Sequence, residues 1–329
     1  MAIFEPITLS RPNGLSIALS RFGATWLSCQ IPLQQPREIL LGCQIGDLSM
    51  QAAYLGATVG RYANRIKDAH FSLNGKSYHI TTDQDSGHAL HGGIDNFSYR
   101  LWEVSERSDD HVTFFLHSSD GDQGFNGDFN ASVTYTLTDD AVIIDYHADC
   151  DQVSVCSLTN HAYFNLGQAA DARRQWLTIP SERYSPIDTT GIPLGDLISV
   201  ADNPFDFREK RQIIQAFDAL LADDPTSVGF DHDWYFGDDG KEKVVCELQA
   251  DDESLAMTLR TTQPALHVYS GNGLSGTPNR SGGTYDNFAG IALETGCLAN
   301  SPNRQKFVSE CMVSQNKPYQ HRSVYQFDW

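Results

Sequence analysis

The chain predicts an all-β protein, for three reasons. Short runs of alternating polar and apolar residues recur along its 329 residues, and alternation with period two is the mark of a half-buried strand. Turn dipeptides of the Asn-Gly and Asp-Gly kind separate these runs, as hairpin connections require. Helical periodicity is convincing in one segment only, around Arg208 to Leu221, with apolar positions at Ile213, Ile214, Phe217, Leu220 and Leu221. A chain of this length can bury a large core, and all-β architectures often run this long as one unit. One domain over residues 1–329 is expected.

The first eighty residues read as short strands. Ile7 to Ser10 and Leu15 to Leu19 flank R-P-N-G, where Asn13-Gly14 is expected to supply the positive φ angles of a tight hairpin; Thr25 to Ile31 and Glu38 to Leu41 follow, and Phe71 to Leu73 and Ser77 to Ile80 flank a second hairpin turn at Asn74-Gly75. From Leu101 to Asp149 come W-E-V-S, V-T-F-F-L-H, A-S-V-T-Y-T-L and A-V-I-I-D-Y-H. Beyond a long Gly- and Pro-rich connection, G-F-D-H-D-W-Y-F opens a β run with a further hairpin expected at D-D-G-K; L-A-M-T-L-R-T, A-L-H-V-Y-S-G-N, I-A-L-E-T and the terminal S-V-Y-Q-F are also strands.

A formal net charge of −19 offers no basic face to phosphate backbones or anionic lipid. Neither nucleic acid nor a membrane is an expected partner. The N-terminal M-A-I-F-E-P lacks the basic and apolar regions of an export signal, and no run reaches membrane-spanning length, so a soluble cytoplasmic protein is expected. Seven cysteines at irregular spacings, without C-x-x-C, read as reduced, buried small hydrophobes.

Several stretches place chemistry-bearing residues in suitable settings. C-S-L-T-N-H-A-Y-F-N-L puts His161 at a strand end beside Asn160, Tyr163 and Phe164, either as a proton donor or as a hydrogen-bonded core histidine. In L-G-A-T-V-G-R-Y-A-N-R-I, Asn64 and Arg65 turn toward something polar, whereas Arg61 divides evenly between a ligand role and surface pairing with carboxylates. Glycines on both sides of His91 in L-H-G-G let the backbone approach a ligand closely. His88 and His91 are spaced for a metal pair but no third ligand follows, and no metal is expected. Period two sends Asp231 and Asp233 to one strand face and His232 to the other. The D-G-D-Q-G stretch fails as a calcium loop because Ala131 stands where a bidentate Glu belongs. G-N-G-L-S-G at 271–276 matches a dinucleotide fingerprint but T-P-N-R-S-G-G cannot open the required helix. Glu294 ends an apolar strand, either capping a loop or facing a cleft.

Taken together, G-R-Y-A-N-R-I, L-H-G-G, T-N-H-A-Y-F-N-L, G-F-D-H, L-E-T with S-P-N, and Y-Q-H-R-S-V-Y-Q-F resemble the aldose 1-epimerase (galactose mutarotase) family in order and spacing, over nearly the whole chain. The resemblance implies a large antiparallel β-sandwich, the mutarotase-like supersandwich, with its site in a cleft on the concave face. By matching motif it implies His161 as general acid and Glu294 as general base, with Asn64, Arg65 and Asp231 on sugar hydroxyls and His91 near the ring oxygen. His267 stands where the family commonly carries a sugar-touching Gln. Gly296 and Leu298-Ala299-Asn300 also depart from the family pattern.

The implied reaction interconverts the anomers of a free aldose of galactose or glucose type. The anomeric hydroxyl loses a proton, the ring oxygen gains one, and the C1–C2 bond rotates before reclosure. An acid and a base on opposite sides of the hemiacetal carbon suffice, so no cofactor is expected. The partner is a small monosaccharide, and the protein a monomer or homodimer. Two other classes fit part of the pattern: a glycoside hydrolase pairing Asp231 with Glu294, and a β-sandwich that binds a sugar or sugar phosphate without turnover.

Overall fold

The computed structural model describes residues 5–329. Residues 1–4, part of the N-terminal stretch read for an export signal, lie outside that range. Every strand pairing in the described sheets is antiparallel. The largest sheet has nine strands in the spatial order Glu103–Arg107, His111–Ser118, Phe129–Leu137, Ala141–Cys150, Tyr319–Asp328, Ala256–Thr261, Lys243–Gln249, Trp176–Thr178 and Arg211–Gln212. A six-stranded sheet runs Tyr163–Phe164, Ile291–Gly296, Ala265–Tyr269, Asp231–Tyr235, Arg183–Ser185 and Ile198–Ser199. A four-stranded sheet holds the strands from Ile7 to Glu38. Their apolar faces share one cluster of buried side chains that includes Leu19, Trp26, Phe114, Tyr135, Ile144, Trp234, Leu259, Leu293 and Tyr325. This is the all-β class the sequence predicts and the antiparallel sandwich the family resemblance implies.

Both early hairpins form, by different turns. Asn74 and Gly75 are left-handed at φ 52° and 78° between the paired Leu73 and Lys76, which is the two-residue type I′ geometry. In the first hairpin only Gly14 is left-handed, at φ 98°. Arg11 O accepts the Gly14 N–H, and Leu15 O accepts the Arg11 N–H, so a turn through Pro12 and Asn13 is followed by a glycine bulge.

Two expectations are corrected. The helix spans Ile213–Asp223, starting later than its sequence period suggests, because Arg211 and Gln212 pair as an edge strand with Leu177 and Trp176. The hairpin expected at D-D-G-K does not form. Asp231–Tyr235 pairs within the six-stranded sheet and Lys243–Gln249 within the nine-stranded one, so this connection crosses from one layer to the other. Among the described residues, no helix is long and apolar enough to cross a membrane.

Arg61 is neither a surface partner of carboxylates nor a ligand group. It is 2% exposed and donates to Ser118 Oγ at 3.0 Å and to the carbonyls of Ser118, Ser119, Asn126 and Gly127 at 2.6–3.1 Å, with its guanidinium 4.9 Å from the Phe129 ring centroid. Five carbonyl and hydroxyl acceptors satisfy its five N–H donors, which is how a buried arginine can do without a carboxylate.

Candidate active site

Period two places the site. In Ile291–Gly296, Ile291 and Leu293 enter the main core, sending Ala292, Glu294 and Gly296 to the opposite face. In Ala265–Tyr269, Leu266 and Val268 enter that core and His267 faces away. In Asp231–Tyr235, Trp234 enters the core, while His232 on the same face meets the ring of Phe205 at 4.6 Å, leaving Asp231 and Asp233 on the other face as expected. The register sets Asp233 opposite His267 and His267 opposite Glu294. A row of ionisable groups thus crosses three adjacent strands.

The segments packed over this face bring the remaining groups. His161 follows the strand Thr159–Asn160. Its backbone N–H donates to Ala57 O and its carbonyl accepts from Gly56, while Asn160 Nδ2 donates to Gly56 O at 2.7 Å and to the Tyr135 hydroxyl at 3.0 Å. The bend carrying the imidazole is therefore fixed from both sides. Asn64 and His91 are left-handed at φ 64° and 53°, conformations that Asn and His adopt more readily than most residues. A Cβ on Gly92 would collide with the backbone of Gly60 and Arg61, so glycine is needed there to seat the loop that presents His91.

His161, Glu294, His91, Asn64, Arg65, Asp231 and His267 all line one cavity of about 420 Å3. His161 and Glu294 are each 4% exposed, with Nε2 and Oε1 3.5 Å apart. They are close neighbours, not groups set on opposite sides of a hemiacetal carbon, so that part of the expectation is corrected. Among the described residues, the buried Nδ1 of His161 meets no hydrogen-bond partner, leaving Nε2 as the nitrogen that addresses the cavity. The ring lies 5.2 Å from that of His91 and 5.0 Å from that of Tyr163.

His91 Nδ1 accepts the Asn64 backbone N–H at 3.2 Å, which puts the proton of the neutral ring on Nε2. Burial pushes its pKa well below the ordinary value, and the positive charges of His161, Arg65 and His267 add to the effect. His91 is thus a neutral hydrogen-bond donor. The same tautomer bears on metal binding. His91, His161 and Glu294 have ligand atoms within 4.8 Å of one another, but a ring whose Nδ1 receives an N–H and whose Nε2 bears the proton has no lone pair for a metal. His88 is engaged elsewhere. Its Nδ1 accepts from Asp68 N at 3.0 Å and its Nε2 meets Thr190 Oγ1 at 3.1 Å, so the His88–His91 pair does not converge.

At the mouth, Arg65 Nη1 lies 3.3 Å from Asp231 Oδ2, both side chains about a quarter exposed. Burial alone would raise the Asp231 pKa. The hydrogen bond from His267 and the charge of Arg65 prevail and hold the carboxyl well below the usual range. Tyr54, Tyr269, Asn272 and Val228 also line the cavity and were not singled out from the sequence. Tyr54 carried no signal, since A-A-Y-L-G is neither a strand period nor a polar cluster; Asn272 could have been found from its place in G-N-G-L-S-G, which is indeed a loop. Gly296 faces Ser157 Oγ and does not reach the cavity.

The chain is thus an antiparallel β-sandwich that carries a paired carboxylate and imidazole inside a polar cavity. A family model described as "Aldose 1-epimerase" matches residues 5–326. An aldose 1-epimerase of Haemophilus influenzae is 43% identical over 93% of this chain and 90% of the relative, and a galactose mutarotase of Mus musculus is 31% identical over 96% and 92%. A solved structure of an aldose epimerase homologue from C. elegans superposes with a TM-score of 0.91 at 29% identity, covering 98% of each chain. The chain belongs to the aldose 1-epimerase family.

Proposed function

We propose that the protein interconverts the α and β anomers of a free aldose of galactose or glucose type, with Glu294 as base and His161 as acid. The observation that carries this reading is the 3.5 Å approach of the two groups inside a polar cavity. The oxygens that exchange protons in the reaction, the anomeric hydroxyl and the ring oxygen, sit on one carbon, so a base and an acid that are neighbours can reach both. Glu294 takes the proton of the anomeric hydroxyl, the bond from C1 to the ring oxygen breaks, and His161 delivers a proton to that oxygen. The C1–C2 bond turns and the same groups run the steps backward onto the other face. His91, as a neutral donor, holds the substrate near the ring oxygen, while Asn64, Arg65 and Asp231 bind the remaining hydroxyls.

The electrostatics bear on the other classes. A hydrolase needs one carboxyl as proton donor and one ionised carboxylate; Asp231, held ionised, could take only the second role, and the group that faces Glu294 at 3.5 Å is the imidazole of His161. A phosphate would meet Asp231 and Glu294, with Arg65 and His267 already paired to carboxylates. A neutral sugar suits this lining better.

Polarimetry on freshly dissolved α-D-galactose and α-D-glucose tests the reading. The protein should speed decay of the rotation without moving its end point. An unchanged decay for both sugars would refute it.

A further inference from the structure

His267 occupies an unusual place in this site. Its Nε2 lies 2.8 Å from Asp231 Oδ1 and its Nδ1 2.8 Å from Asp233 Oδ1. Only an imidazolium can donate to both carboxylates at once. The other oxygen of Asp233 accepts the Ala299 N–H at 2.8 Å, and the next residue, Asn300, donates its N–H to Arg65 O at 2.8 Å. Arg65 in turn reaches Asp231. The contacts form a closed circuit through Asp231, His267, Asp233, the 299–300 backbone and Arg65. The other groups facing the ring are the Asn64 amide at 3.1 Å, the cross-strand neighbour Glu294, His91 and Arg65 from the segments packed above, and Tyr269 further along its own strand.

We infer that His267 is a positioning residue: with both N–H groups committed to Asp231 and Asp233, it orients the Asp231 carboxylate toward the sugar and does not itself hold a hydroxyl. This rests on the sugar-binding reading above and differs from the direct contact implied by the family position. Burial opposes the charge on the ring, but the two carboxylates outweigh it and raise the pKa well above the ordinary value. The clamp is therefore closed at neutral pH and opens as pH rises through that raised value, when one carboxylate loses its donor.

The test is the pH dependence of KM and kcat for D-galactose in the wild type, His267→Gln and Asp233→Asn. The wild-type KM should be flat near neutrality and climb at alkaline pH. His267→Gln should raise KM at neutral pH on the order of tenfold, the worth of one charge-assisted hydrogen bond, change kcat far less, and abolish the alkaline climb. Asp233→Asn should move the climb to lower pH, because one of the two stabilising charges is gone. A His267→Gln protein with the wild-type KM, or one that keeps the climb, overturns the inference. Should the wild type show no mutarotation, the proposed function fails on its own, and imidazole 15N shifts then decide this point: a singly protonated His267 ring at neutral pH would overturn it.

Discussion

Replacing Glu294 by Gln isolates the proposed base from its packing. The side chain is buried in an all-buried strand, and Gln matches it in shape. The carboxamide oxygen can still face His161 Nε2, 3.5 Å from Glu294 Oε1, so no cavity results. The ability to take a proton disappears, together with the carboxylate charge beside His161. A well-placed general base contributes roughly 10²–10⁴-fold, equivalent to about 3–5 kcal/mol of barrier. Sugar binding is assigned to other residues, so the loss should fall on kcat with little change in KM, read by polarimetry over a range of galactose concentrations after subtracting the spontaneous rate. A variant with nearly the wild-type kcat, or one whose loss lies wholly in KM, would show that Glu294 binds the sugar without acting on its proton.

Arg61→Lys should destabilise the fold by about 2–4 kcal/mol and lower the urea midpoint, because an ammonium has fewer donors than the acceptors this pocket presents; an unchanged midpoint would contradict the buried-network account. Asp231 contributes to stability with a defined sign. Its folded pKa is depressed, so the contribution is present above the unfolded value of about 3.9 and is lost as pH falls through the folded one. The gap in urea midpoint between wild type and Asp231→Asn should close on acidification, and a gap that widened would reverse the sign.

Much of this site was legible because strands alternate. Asp231 and Asp233 share a face by counting residues, and Glu294 stands out as a carboxylate in an apolar strand. What could not be read was pairing. D-D-G-K looks like a hairpin turn since local chemistry favours one, yet Trp234 and Val245 are each buried in the shared core from different sheets. Helix entry was misplaced for a related reason: Arg211 and Gln212 gain more from an edge pairing than from another helical turn. The protonation of His267 and the tautomer of His91 depend on partners distant in the chain, and sequence spacing says nothing of either.

The row formed by Asp233, His267 and Glu294 across three strands has a bearing on how such a sequence can change over time. Sliding any one of these strands by a single step would exchange Glu294 for Leu293, His267 for Val268 or Asp233 for Trp234, burying an ionisable group in oil while turning an apolar one toward the sugar. Insertions and deletions inside these strands should therefore be lethal to folding and activity together, whereas the exposed segment around Val228 at the cavity's rim, which carries none of these groups, can change length without disturbing the register.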